Sequence, residues 1–83
     1  MYFVYILKSL RTGRYYVGCT DNIGRRVQEH NSGSSVYTKN KGPWGLVYKE
    51  AFSSLNNARV REQQIKSWKK RIAIEKLIQA PFV

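Results

Sequence analysis

Eighty-three residues leave room for one small hydrophobic core, since a chain this short buries only about 60% of the surface its unfolded form exposes. Fifteen lysines and arginines against five acids give a net charge of +10, a surplus that attracts polyanions, nucleic acid before acidic membrane. A single cysteine, Cys19, and a single histidine, His30, exclude an internal disulfide and a thiolate-based structural zinc site, and leave few ligands for a tightly held transition metal.

No stretch approaches the ~20 apolar residues of a membrane span. The opening MYFVYILKSL lacks the basic flank and small-residue cleavage site of a secretion signal. One cytoplasmic domain over 1–83, without a membrane partner, is the expectation.

In chain order, YFVYIL at residues 2–7 is uncharged, aromatic and β-branched, the content of a buried strand. SLRTGR supplies a turn with Gly13 and RYYVGC returns as a second strand, a hairpin that can bring Tyr5 and Tyr16 side by side. TDN offers side-chain oxygens for a cap, with Asp21 the candidate, and IGRRVQEHNS follows as a short helix stopping near Gly33. GSSVYTKNKGPWG is rich in turn formers and reads as a loop, and GLVYKEAF alternates as a third strand. SSLNNARVREQQIKSW opens on serine caps and carries helical spacing. Ser67 offers a cap for a last helix, WKKRIAIEKLI, before Pro81 ends it. The order β-β-α-β-α-α predicts an α+β fold, a three-stranded antiparallel sheet flanked by helices.

Helical phase singles out candidate site residues. Ile23 and Val27 define the buried face of the first helix, Arg26 and His30 fall on that side, and Arg25 is rotated about 200° away into solvent. A guanidinium turned inward requires an anionic partner, a protein carboxylate or a ligand phosphate. On the later helix, Leu55, Ala58 and Ile65 mark an inward stripe, and Glu62 lies on it. Glu62 can pair with Arg26 as a structural bridge, or hold a divalent cation beside a phosphate that Arg26 also contacts; periodicity leaves both open. Taken alone, Tyr5 and Tyr16 read as core tyrosines with satisfied hydroxyls.

FVYIL near the start, YYVGCT about ten residues on, then RRVQEH and VREQQIK, resemble in combination the GIY-YIG nuclease domain. The likeness spans nearly the whole chain and is nearest to small stand-alone members of that superfamily, of the YhbQ-like kind. The first motif keeps only its tyrosine, with Phe3 and Val4 in place of its glycine and isoleucine, and Cys19 stands where excision-repair relatives carry a lysine. The resemblance implies that Tyr5 and Tyr16 line the active site and that Gly18 is where the backbone turns into it. It further implies that Arg26 contacts the scissile phosphate, that His30 lies near the nucleophile, and that Glu62 ligates one Mg²⁺ or Mn²⁺ ion. The activity implied is metal-dependent DNA endonuclease chemistry, in DNA repair or processing.

Hydrolysis of a phosphodiester needs an activated water, a cationic environment for the phosphorus oxygens and help for the leaving oxyanion. A free tyrosine titrates near pH ~10 and serves as a base only where positive charge assists it; Tyr16 is preferred, assisted by Tyr5 or His30, and His30 alone competes. Two-metal sites need several carboxylates, and five scattered acids fit one weakly held cation. Cys19 is either a thiol activated by the basic helix start or, the preferred state, a packed one.

The remaining cations, among them Lys39, Lys41, Lys66, Lys69 and Lys70, supply salt-sensitive, sequence-independent affinity for nucleic acid, DNA in preference to RNA. Tyr37 and Thr38 lie where a substrate strand could pass. A monomer without a small-molecule cofactor and with low sequence specificity is expected. The rivals are a non-catalytic nucleic-acid-binding module with a degenerate GIY-YIG site, and an adaptor for an acidic protein.

Overall fold

The computed structural model describes residues 1–33 and 38–79. Strands β1 (Tyr2–Ser9), β2 (Tyr15–Thr20) and β3 (Trp44–Phe52) form one antiparallel sheet in the order β2-β1-β3. Helices α1 (Ile23–Asn31), α2 (Leu55–Ser67) and α3 (Arg71–Gln79) complete the expected α+β succession.

The central strand divides the molecule. Val4, Tyr5, Ile6 and Leu7 are all at most 1% exposed, and alternate residues of a strand point to opposite faces. Val4 and Ile6 therefore join Val17, Ala58 and Ile65 beneath α2 and α3. Tyr5 and Leu7 join Trp44, with Tyr16, Ile23 and Val27 packed against them, beneath α1. Each fully buried aliphatic side chain contributes about 1.5–3 kcal/mol. The packing on both faces of β1 thus fixes α1 and α2 on opposite sides of the sheet.

Local chemistry sets the connections. The β1–β2 turn passes through Gly13 at φ 74°, which glycine adopts without a Cβ clash. Ser9 braces it, accepting the amides of Arg11 and Thr12 at 3.2 and 2.9 Å. The same hydroxyl donates to the Lys41 carbonyl at 2.6 Å, tying the segment before β3 to the hairpin.

Three sequence expectations are corrected here. Asn22, not Asp21, caps α1, accepting the Arg25 amide at 3.0 Å; Asp21 instead bridges Arg25 at 2.9 Å on the surface. Ser67 does not cap α3, because its hydroxyl donates back to the Gln64 carbonyl at 2.6 Å and closes α2. Leu55, the first residue of α2, is 36% exposed, whereas Ala58 and Ile65 are fully buried; the inward stripe holds only where α2 lies over the sheet. Pro81 lies outside the described residues.

Candidate active site

The site forms where the β1–β2 ladder meets α1. Tyr5 pairs with Gly18 across that ladder and Leu7 with Tyr16, so the two tyrosines are diagonal neighbours on one face, their ring centroids 6.3 Å apart. Gly18 is not a turn, as the resemblance had implied, but an interior residue of β2. Its role is space: a Cβ built there would sit 2.5 Å from the Tyr5 hydroxyl oxygen and 2.6 Å from Cζ. The missing side chain lets the Tyr5 phenol lie across β2.

The Tyr5 hydroxyl meets His30 Nε2 at 2.9 Å, and Nδ1 of the same ring meets Thr38 Oγ1 at 2.7 Å. Tyr16 stacks obliquely on the imidazole with centroids 4.7 Å apart. Tyr5, His30 and Thr38 are each 1% exposed, whereas Tyr16 is half-buried. Burial, above all, pushes the Tyr5 phenol up to about 12, against the opposing pull of the Arg26 guanidinium. Burial and the Arg26 charge both hold the His30 imidazole below its ordinary value, so it favours the neutral form.

Arg26 follows from the phase of α1. It is one-third exposed at the side chain, against 57% for Arg25, as the helical spacing requires. It bridges Glu29 at 3.1 Å, and its charge opposes the rise that burial imposes on the Tyr5 phenol. It also lines an open depression of about 440 Å³ at the end of β2, with Tyr2, Cys19, Thr20 and Leu55 among the walls. Glu29, three residues on, was legible as an i,i+3 partner; Thr38 carried no such signal.

Glu62 does not pair with Arg26. Its carboxylate takes Lys66 at 2.7 Å and its side chain is only 15% exposed, while its charge raises both the Tyr5 phenol and the Cys19 thiol. Glu62 thus borders the site from α2, on the other side of β2. Cys19 is the packed thiol, held protonated by burial first and Glu62 second. Among the described residues no three His, Cys, Asp or Glu side chains gather as a cation cage. One carboxylate fits a hard divalent ion that keeps most of its water or takes the rest of its ligands from a phosphate.

The five acids are each bound to one cation: Asp21 to Arg25, Glu29 to Arg26, Glu50 to Arg61, Glu62 to Lys66 and Glu75 to Arg71. Fifteen cations less those five leaves ten without an acidic partner among the described residues. Lys39 and Lys41 are exposed in the segment before β3. Lys69 and Lys70 line a depression with Arg14, Tyr15 and Arg71, at the hairpin-turn end of β2. Lys66 differs from these four because Glu62 engages it. Thr38 does not lie on a path for substrate, because it is buried against His30; Tyr37 lies outside the described residues.

A family model, the GIY-YIG catalytic domain, matches residues 1–77. The chain belongs to the GIY-YIG family. A UPF0213 protein of Staphylococcus haemolyticus is 39% identical over 71 residues, 84% of this chain and 85% of that one. Another, of Syntrophus aciditrophicus, is 42% identical over 82 residues, 95% and 92% of the two chains. The solution NMR structure of the UPF0213 protein BH0048 from Bacillus halodurans is similar at a TM-score of 0.59 and 36% identity, covering 94% of this chain and 83% of that one. These are small stand-alone GIY-YIG proteins, the kind that the sequence motifs resemble. The GIY-YIG domain is that of a nuclease family, with nucleic acid as its class of substrate. Among the described residues no helix is long and apolar enough to cross a membrane.

Proposed function

We propose that this GIY-YIG protein hydrolyses phosphodiester bonds in DNA, with one divalent cation and little sequence preference, in the cytoplasm and in the service of DNA repair or processing. The observation that carries the proposal is Arg26. It combines partial exposure on an open depression with a bridge to Glu29 that fixes its position. A guanidinium held in this way can neutralise the non-bridging oxygens of a phosphate as charge builds in the transition state.

The other residues take roles by their exposure. Among the described residues no group hydrogen-bonds the Tyr16 hydroxyl, and its ring lies against those of Tyr5 and His30. Tyr16 is therefore assigned to the attacking water: as the phenolate it takes the water's proton while the new P–O bond forms and the leaving P–O bond breaks, and the leaving oxygen takes its proton from solvent. Tyr5 and His30, buried beneath, hold the Tyr16 ring in place. Glu62 would hold Mg²⁺ or Mn²⁺, which when bound supplies positive charge to the leaving oxygen. The cations without acidic partners hold the DNA backbone, and Lys39, Lys41, Lys69 and Lys70 are assigned to that task with salt-dependent affinity. Lys66 joins them where a cation takes its place on Glu62.

Supercoiled plasmid incubated with the protein and Mg²⁺ or Mn²⁺ tests this assignment. Nicking that stops with a chelator and survives changes of plasmid sequence is expected; intact plasmid across both metals would overturn it. One observation favours a second reading, a DNA-binding module without turnover: both Tyr5 and His30 are 1% exposed. Salt-sensitive binding without nicking is its signature.

A further inference from the structure

We infer that double-stranded DNA lies along the outer edge of β2, one strand of its backbone running from the Arg26 depression to a second phosphate site formed by Lys69, Lys70 and Arg71. The inference deepens the function proposed above and rests on that reading for the place of the scissile phosphate; the path itself rests on topology and charge.

The path follows from how α2 lies against β2. Among the described residues β2 is an edge strand, with β1 on one side and no strand on the other. Tyr15, Val17 and Cys19 alternate toward the core that Ala58 and Ile65 of α2 complete, so α2 covers that face. Leu55, the first residue of α2, lines the Arg26 depression with Cys19 and Thr20 from the end of β2. Lys69 and Lys70, just beyond the end of α2, line the other depression with Arg14 and Tyr15 from the start of β2. Strand and helix are therefore antiparallel, and both connect the same two depressions. The interval is about 16 Å by the strand rise and about 20 Å by the helix rise. Phosphates of one strand advance about 3.4 Å each along a duplex, which makes the interval about four to six nucleotides.

The second depression, of about 540 Å³, suits an anion. Arg71 is fixed in its wall: Nη1 donates to the Gly13 carbonyl at 2.8 Å, Nε faces Glu75 at 3.6 Å, and the guanidinium lies 5.0 Å from the Tyr15 ring centroid. Its Nη2 makes no hydrogen bond among the described residues and is left for a ligand; a guanidinium already fixed loses little freedom on taking a phosphate. Arg14, Lys69 and Lys70 have no acidic partner among the described residues. Lys69 holds φ at 54°, a left-handed backbone that strains a residue with a Cβ and that glycine adopts freely. Glycine is customary at such a helix end, so a lysine there points to use of its charge. Between the two depressions Glu62 neutralises Lys66, which leaves the grip on the backbone at the two ends.

Amide ¹⁵N–¹H correlation spectra of the wild type, titrated with a short duplex without divalent metal, read the path directly. Shifts should run along β2 and α2 from Cys19 to Lys69, Lys70 and Arg71; shifts confined to α1 or gathered on β3 would overturn it. Lys69→Gly relieves the backbone, so the urea midpoint should hold or rise, while duplex affinity should fall about eightfold at about 0.1 M salt, the ion-release factor of one phosphate contact. Unchanged affinity would count against the second site. A single methylphosphonate in an end-labelled duplex then measures the interval: the cleavage ladder should show a gap at the neutral phosphate and another about four to six nucleotides to one side. Lys69→Gln/Lys70→Gln should erase the distant gap. A gap at the neutral phosphate alone would overturn the path and leave the nuclease function standing. Amide shifts along the path with the duplex uncut would sink the nuclease function and leave the path standing.

Discussion

Tyr5 and Gly18 face each other across the β1–β2 ladder, and the phenol of one occupies the space that a side chain on the other would fill. The site depends on that exchange: with any larger residue at that position of β2, the Tyr5 oxygen could not lie where His30 reaches it.

Gly18→Ala should therefore destabilise the fold by about 1–3 kcal/mol, the usual range for overpacking, and detach His30 from Tyr5. Tyr5→Phe leaves Nε2 of a buried ring without its hydrogen-bond partner, at a cost of similar size. Because both act on the same hydroxyl, the double variant should lose less than the sum of the two. Relief should be partial, since the Tyr5 Cζ would still lie 2.6 Å from the new methyl. A double-mutant cycle by urea denaturation measures the coupling; strict additivity would contradict the contact.

Acid should weaken the fold through His30. Its folded-state value is depressed by burial and by Arg26, so the unfolded chain binds more protons near and below the ordinary imidazole value of about 6.5. Its contribution is whole above that value and is lost as pH falls through the lower folded value. As His30 is the only histidine, His30→Phe should flatten the urea midpoint between pH 7.5 and 5. Tyr5 works in the opposite sense: raised to about 12, it adds stability below the ordinary phenol value near 10 that is lost as pH rises through about 12. Tyr5→Phe should remove a late-titrating phenol from the tyrosinate absorbance curve, and loss of an early-titrating one instead would contradict the raised value.

Glu29 competes with phosphate for Arg26. Glu29→Gln should cost little stability, because a partly exposed bridge is worth about 0.2–1 kcal/mol, and should tighten DNA binding by freeing the guanidinium and removing a negative charge. Fluorescence anisotropy with a short duplex checks this. Weaker binding would mean that Glu29 is needed to aim Arg26.

The cations at the hairpin end of β2 predict a salt effect. Lys69→Gln/Lys70→Gln should reduce the slope of log K against log salt by about 2, close to one unit for each lost phosphate contact. Lys49→Gln/Lys76→Gln, equal in charge removed, is the control. Equal slopes for the two pairs would make the attraction a property of net charge alone.

Much of this was legible in the sequence, for periodic reasons. The apolar content of β1 was enough to read it as a buried strand, and the helical phase of α1 was enough to turn Arg26 and His30 inward and Arg25 outward. Partnerships were harder to read. Glu62 lies on its predicted stripe yet bonds Lys66 instead of Arg26, because α1 and α2 approach β2 from different faces. Thr38 reaches His30 through a segment with no period, so no spacing announces it. Gly18 showed as a motif residue, but its purpose depends on cross-strand register, which single-strand patterns do not carry.

The most direct measurement is nicking of supercoiled plasmid in Mn²⁺ by wild type, Arg26→Ala and Glu62→Gln, with DNA binding recorded alongside. Wild type should nick; Arg26→Ala should slow the reaction about 10²–10³-fold, as expected for loss of a preorganised charge in the transition state, and Glu62→Gln should lose metal dependence with activity, both while still binding DNA. Equal nicking by all three proteins, or none by the wild type, would contradict the account.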